Sequence, residues 1–389
     1  MKPGHPDTYE VICQDGRQVT YGEGHPAFRF IVKDLDQFHR LIHGDPYTTA
    51  IQFIDGRFDI QGDLIAAIRL KAAMTRRGLK SALASSLAWL AARGLTPWSQ
   101  AQGRDVRDIS FHYDRSNEFY RAFLDERMVY SCAYFRQRNE TIEEAQLGKM
   151  DHICKKLDLR PGDRFLDVGS GWGGLVIRAA GKFGAVATGC TLSHEQAQYA
   201  SAAVAGAGLQ KKVVIRECDF RLVEGQFDKI ASVGMFEHVG RRRLRQYFRT
   251  IYALLKDDGL FLNHGIIRPE CVKDGPETLF LQRHVFPGGE LAHLSEVVRA
   301  AELAGFEILD VENLRPHYAL TCRRWVERLQ QNAVECRRHV DSRSYKTWLL
   351  YLAASAFSFE TGSTEIHQIL MAKRGESHKR RLTRDYMYV

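Results

Sequence analysis

The chain has 389 residues, 26% charged and 44% apolar, which leaves room for one large globular domain or two moderate ones and argues against a disordered or fibrous protein. Its formal charge of +8 suits an anionic surface such as lipid headgroups, though solubility alone would also account for it, and no nucleic-acid partner is expected. Eight cysteines with no CxxC pair argue against a zinc site or a disulfide framework, so no metal is expected and a reducing cytoplasm is.

Met1-Lys-Pro-Gly-His-Pro6 carries no apolar signal-peptide core. Residues 8–63 read as a small α+β unit. Tyr9–Ile12 and Gln18–Tyr21 flank Asp15-Gly16, a hairpin signal. Ala27–Val32 is a further strand and Asp34–Ile42 a short helix, and Thr48–Ile60 carries a second Asp-Gly pair, Asp55-Gly56. Residues 64–93 are helical and alanine-rich, completing an N-terminal domain over 1–93. A linker rich in Gly, Pro, Ser and Gln follows at 94–107, and the catalytic domain is expected over 108–389. The most apolar stretches, 81–92 and 348–359, are each about half the ~20 residues of a membrane span, so a lipid would be met from outside the bilayer.

Residues 165–175 (FLDVGSGWGGL) carry the clearest functional signal. An apolar strand, Phe165–Val168, runs into a glycine turn at 169–174 and then into helix-forming sequence from Leu175 to Gly181. Glycines let backbone N–H groups approach a ligand closely. The acid at the strand end, Asp167, disfavours phosphate and favours a ligand with cationic, amino or hydroxyl groups, such as S-adenosylmethionine. Further apolar runs follow at 183–192, 213–216, 227–233 and 259–263, with helical sequence such as 243–255 between them. Alternating strands and helices imply a parallel sheet whose ligand sits at the carboxyl strand ends. Asp167, Thr191, Asp219, Glu237 and His264 are placed at those ends. Residues 274–294 interrupt the sheet after its fifth strand and are expected to cover the site.

Five short segments occur in order: 111–120 (FHYDRSNEFY), 128–135 (MVYSCAYF), 166–174 (LDVGSGWGG), 235–240 (MFEHVG) and 286–289 (FPGG). On these the chain resembles the cyclopropane-fatty-acyl-phospholipid synthase family, which are class I S-adenosylmethionine-dependent methyltransferases. Ser116 and Ser170 depart from that pattern, standing where glycine and cysteine are common. The fold implied is α/β: a Rossmann-like, mostly parallel sheet with helices on both faces, plus a small N-terminal α+β domain. The activity implied is transfer of a methyl carbon to a cis double bond of an unsaturated phospholipid acyl chain. Bound bicarbonate would then take a proton so that a cyclopropane ring closes.

The resemblance carries the ion site to Cys132, Glu237, His264, Ile266 (through its backbone) and Tyr318. His264 and Tyr318 can donate to the ion, and Glu237 can accept from it or hold His264 charged. A shared proton is required if Glu237 adjoins an anion. Cys132 is not expected to be a nucleophile, since a covalent step has no use here. Cofactor contacts are expected from Tyr130, Ser131, Asp167, Gly169, Gly171, Trp172 and Gly173. Thr191, Ser193 and Gln196 are placed near the ribose, with Ser193 also a helix N-cap, and Asp219 and Phe220 at the adenine. Tyr130, Tyr134, Phe135 and Phe236 are candidates to line the path of a carbocation. His238 is expected to be structural, and Arg241–Arg243 a solvated helix start.

The N-terminal domain resembles that of phospholipid-acting members, which favours a phospholipid substrate and peripheral association with the inner face of the membrane. A folding or dimerisation role for it is the alternative, and the family suggests a homodimer. Three other functions stay open: the same cation chemistry giving a methyl- or methylene-branched or otherwise modified acyl chain, methylation of a soluble small molecule, and a non-catalytic lipid-surface role.

Overall fold

The computed structural model describes residues 8–77, 116–272, 275–285, 290–375 and 381–388. The alanine-rich segment from residue 78, the linker at 94–107, the first half of the 111–120 segment and the 286–289 (FPGG) segment lie outside the described residues.

The N-terminal unit is a four-stranded sheet in the order β2-β1-β3-β4. β1 (Tyr9–Cys13) and β2 (Gln18–Tyr21) form the antiparallel hairpin expected from Asp15-Gly16, where Gly16 takes φ +88°. β3 (Phe28–Val32) lies parallel to β1, and β4 (Asp59–Gly62) antiparallel to β3. α1 (Leu35–His43) is capped by Asp34, which accepts from the Gln37 N–H at 2.7 Å. The second Asp-Gly pair follows a helix: α2 (Pro46–Ile54) ends at Asp55, and Gly56 turns the chain toward β4. α3 (Leu64–Arg77) leads out of the unit.

The larger sheet has seven strands: β5 (Arg164–Val168), β6 (Val186–Thr191), β7 (Val213–Glu217), β8 (Phe227–Val233), β9 (Leu255–Ile267), β10 (Phe306–Asn313) and β11 (Glu365–Lys373). Their order is β10-β11-β9-β8-β5-β6-β7. The first five are parallel, and β11 runs antiparallel to both neighbours. β10 and β11 add two strands that the apolar runs did not reveal. The run at 183–192 begins its strand only at Val186, because the preceding helix continues to Phe183 and closes on Gly184 at φ +74°. β9 is longer than expected, so His264 and Ile266 lie inside the strand and not beyond its end.

Successive residues of the central strands face opposite layers. Leu166, Ile230 and Phe261 pack with Phe248 and Ile251 of α8 (Leu244–Leu254). Phe165, Ala231 and Leu262 pack with Ile153 and Val176. These two belong to α5 (Ile142–Lys156) and α6 (Gly174–Phe183), which followed the one-turn helix α4 (Asn117–Arg121). α7 (His194–Gly206) stands beside β6 and β7, and α9 (Pro276–His284) and α10 (Leu294–Leu303) follow β9.

Three C-terminal helices, α11 (Arg315–Gln331), α12 (Ala333–His339) and α13 (Ser342–Thr361), separate β10 from β11. The N-terminal unit packs on them. One continuous apolar cluster runs from Phe28 and Ile65 to Trp325 and Trp348. Arg323 bridges Asp63 at 3.3 Å and Glu360 at 2.6 Å, and Lys346 reaches Asp59 at 3.1 Å. α9 also reaches this unit, with His284 Nε2 3.2 Å from the Tyr47 hydroxyl, and no described residue of 275–294 lines the cavity at the glycine turn. No described helix is long and apolar enough to cross a membrane.

Candidate active site

The sheet order reverses at β5, whose neighbours β6 and β8 lead to opposite edges, and a cavity opens at that switch point. The glycine turn after β5 forms its floor. Gly171 takes φ +53°, and a Cβ there would meet nothing within 4 Å, so the missing side chain faces open cavity. Gly173 has a different task. A Cβ on it would sit 3.0 Å from the Ala200 Cβ, so its absence lets α6 close against α7, and it does not line the cavity.

Most of the expected cofactor residues meet at this cavity. Asp167 is 3% exposed, and its Oδ1 has no partner. Burial pushes its carboxyl up to about 7, opposed by the nearby Lys149 charge. Thr191 donates to Gln196 Oε1 at 2.7 Å, which ties the end of β6 to the first turn of α7. Asp219 and Phe220 line the far end below β7, with Asp219 held by the Arg221 Nε at 2.9 Å. Trp172 lines the wall and donates to Asn117 Oδ1 at 2.7 Å. Ser193 does not line the cavity; its hydroxyl accepts from Gln196 N–H as the N-cap of α7.

Lys149 was not foreseen. It lies on the cavity wall, 2% exposed, and its Nζ donates to Ser131 Oγ at 2.8 Å. Burial pushes its ammonium down to about 8. The available signal was its place on the Ile142, Ala145, Ile153 stripe of α5, which is buried throughout. Gln146 secures the adjoining segment by donating to the carbonyls of Val129 at 3.2 Å and Ser131 at 2.9 Å. His238 and Arg243 also line the cavity. The chain after β8 turns into a short 3-10 segment, Phe236–His238, so His238 is not carried away from the site as extended backbone would carry it. Arg241, expected to be solvated, instead pairs with Glu296 and lies 3.6 Å from Glu290.

The expected ion-site residues lie behind this cavity in the interior. Glu237 Oε1 accepts from the Ile266 N–H at 2.6 Å, and its Oε2 is buried without a partner. Burial raises its carboxyl to about 7. The Ile266 donor expected for the ion is therefore engaged by Glu237. His264 is fully buried. Its Nδ1 is 3.1 Å from Nε2 of Gln368, its register partner on β11, and its own Nε2 has no partner. Burial, with Lys149 and Lys156 nearby, holds its pKa well below 6.5, so the imidazole is neutral and is not kept charged by Glu237. Tyr318 is a buried neutral hydroxyl, kept so by burial and by the Cys322, Tyr351, Cys132 and Glu237 sites around it. Cys132 donates to the Ala133 carbonyl at 3.3 Å, and burial drives its thiol far above the range in which a thiolate forms at neutral pH.

Aromatic rings crowd this interior. Tyr130 lies 5.1 Å from Trp325 and 6.0 Å from Trp348, and Tyr318 stacks on Phe359 at 4.5 Å. Of the four aromatics expected to line a cation's path, only Tyr130 belongs to this group. Tyr134 is sandwiched between His152 at 4.3 Å and His317 at 4.7 Å. Phe135 packs with Ala133 and Ile142, and Phe236 fills the space left by the absent side chain of Gly265. The other members come from α11 and α13, about 200 residues further along the chain.

Residues 100–369 match the family model described as mycolic acid cyclopropane synthetase. The chain is 38% identical over 386 residues to a probable fatty acid methyltransferase of Pseudomonas putida, a match covering 96% of this chain and 94% of that protein. It is 33% identical over 277 residues to cyclopropane mycolic acid synthase MmaA2 of Mycobacterium tuberculosis, covering 68% of this chain and 96% of that one. The crystal structure of mycolic acid cyclopropane synthase CmaA1 complexed with SAH and CTAB has a TM-score of 0.66 and 33% identity, over 69% of this chain and 98% of that one. Site, sheet order and sequence agree: the chain belongs to the mycolic acid cyclopropane synthetase family of S-adenosylmethionine-dependent methyltransferases that act on lipids.

Proposed function

We propose that this enzyme transfers the methyl carbon of S-adenosylmethionine to a cis double bond of an unsaturated phospholipid acyl chain and closes a cyclopropane ring, with bicarbonate as the base. The carrying observation is the aromatic group of Tyr130, Tyr318, Trp325, Trp348 and Phe359, whose Tyr318 member feels the charge of Glu237, a carboxyl with an unpartnered Oε2. An alkene attacking a sulfonium methyl leaves a carbocation, which ring faces stabilise by ~0.5–2 kcal/mol each without trapping it.

The residues present fit both absent groups. The unpartnered Asp167 Oδ1 and the open space over Gly171 suit the amino-acid end of S-adenosylmethionine, which supplies the electrophilic methyl. The free His264 Nε2 and the neutral Tyr318 hydroxyl suit a small oxyanion, which would supply the base. Glu237, raised to about 7, can keep the proton such a neighbour requires while it still accepts from Ile266. Cys132 stays protonated and contributes a weak donor. Burial of all these groups excludes water that would otherwise quench the cation.

The P. putida relative matches nearly the whole chain, N-terminal unit included, whereas the family model begins at residue 100. That unit supports a phospholipid over a carrier-bound substrate, with docking at the inner face of the membrane. The test is expression in a host rich in monounsaturated phospholipids, with mass spectrometry that separates a ring from a branched isomer. Ring-bearing chains one methylene heavier, with activity that falls when carbonate is stripped and returns when it is restored, are expected. A branched product, or indifference to carbonate, would overturn the corresponding part.

A further inference from the structure

Lysine is almost never fully buried without a counter-charge. Lys149 is 2% exposed, yet among the described residues no carboxylate oxygen lies within the 4.0 Å of an ion pair. The nearest acids are already committed or point elsewhere. Asp125 accepts the backbone N–H groups of Arg127 at 3.0 Å and Val129 at 2.8 Å, and Asp167 keeps a bare Oδ1. One of the three ammonium donors goes to Ser131 Oγ.

Position supplies the rest. Lys149, Ser131 and Asp167 share the β5 end of the cavity, while Thr191 and Gln196 stand at β6 and Asp219 at β7. A ligand lying across the strand ends with its ribose and base toward β6 and β7 puts its amino-acid end at β5. That end is a zwitterion. The wall there is its complement, with a bare carboxylate oxygen for the ammonium and a buried ammonium with a hydroxyl for the carboxylate.

We propose that Lys149, together with the Ser131 hydroxyl it holds, is the binding site for the α-carboxylate of S-adenosylmethionine, and so selects ligands that retain the intact amino acid. Burial lowers the ammonium only to about 8, so it is still mostly charged at neutral pH. A charge-assisted contact of this kind is the stronger class of hydrogen bond, and its loss should weaken binding by about 10- to 100-fold.

This assignment rests on the cofactor reading above, and the experiment separates the two. Titration calorimetry compares S-adenosylmethionine with its decarboxylated analogue, which keeps the sulfonium, the amine and the adenosine. The wild type is expected to favour the intact compound by about 10- to 100-fold. Lys149→Met is expected to lose that preference: affinity for the intact compound falls to that of the analogue, and affinity for the analogue barely changes. An equal fall for both ligands would mean that Lys149 only supports the fold, and would overturn the assignment. If Lys149→Met does not fold, the wild-type pair of titrations decides, because equal affinity for the two ligands overturns it as well. A wild type that binds neither compound would overturn the cofactor reading itself.

Discussion

Glu237→Gln preserves shape and removes an ionisable group from the interior. Burial displaces this carboxyl from an ordinary 4.5 to about 7, equivalent to roughly 3 kcal/mol between its two protonation states. The folded chain thus holds this proton more tightly than the unfolded chain. Between the two values it binds more protons, so stability falls as pH rises, and the full penalty is present above about pH 7. Glutamine carries no such penalty. Between about pH 5 and pH 8 the stability difference should therefore move in favour of the variant by roughly 2–3 kcal/mol. The new amide N–H, left where Oε2 had no partner, adds a constant cost of about 1–3 kcal/mol, so the slope and not the offset carries the prediction. Urea unfolding of both proteins across this range measures it. The other buried carboxyl raised to about 7, Asp167, cancels in the difference. Parallel curves would refute the burial argument, and a slope of opposite sign would mean that the anion is stabilised in the fold. Activity should fall by ~10²–10⁴-fold, as for a misplaced base, with S-adenosylmethionine affinity nearly unchanged.

Gly171→Val should abolish S-adenosylmethionine binding in calorimetry while the far-UV spectrum is kept, because the open space puts the branched side chain in the cavity and φ +53° strains the local turn for a β-branched residue. Unchanged affinity would dissociate the turn from the ligand. Cys132→Ser should retain measurable lipid methylation, since burial keeps the thiol protonated; a variant that binds cofactor normally yet is inactive would restore a covalent role. Gln368→Leu should free the His264 Nδ1, seen as a changed tautomer population in nitrogen-15 spectra of labelled histidine, with about a tenfold loss of activity. An unmoved tautomer would show that Gln368 does not orient the ring.

The parallel half of the sheet was legible because its strands open on or contain short apolar runs, those of β5, β6 and β8 largely buried, and even the exposed edge strand β7 starts with Val213, Val214 and Ile215. β10 and β11 were not. Phe306–Asn313 carries four acidic or amide residues, and Glu365–Lys373 opens with charged and polar side chains that point at partners inside the protein. His367 and Gln368 are buried polar residues that a hydropathy pattern scores as surface. The same blindness hid Lys149. The glycine turn and the strand-end acids were readable because the chemistry sits within a few residues. The aromatic group was not, because Tyr130 meets Trp325 and Trp348 only after the C-terminal helices fold back. Gly173 and Ser193 show how far pattern alone reaches. Both lie within a cofactor-like pattern and outside the cavity lining: Gly173 lets two helices close on each other, and Ser193 is the N-cap that its place before the helix led one to expect.

The place of β11 has a bearing on biosynthesis. It is laid between β9 and β10 although it is translated after both. Roughly 100 residues separate Ile267 from Lys373, so at about 5–20 residues per second the inner edge of β9 waits on the order of 5–20 s for its partner. During that interval the nascent sheet presents an apolar edge with unpaired backbone groups, a template for misassociation. Ribosome-bound chains halted before residue 365 should therefore depend on chaperones. A premature stop there would release a protein whose cofactor turn is complete but whose His264 lacks the strand that orients it.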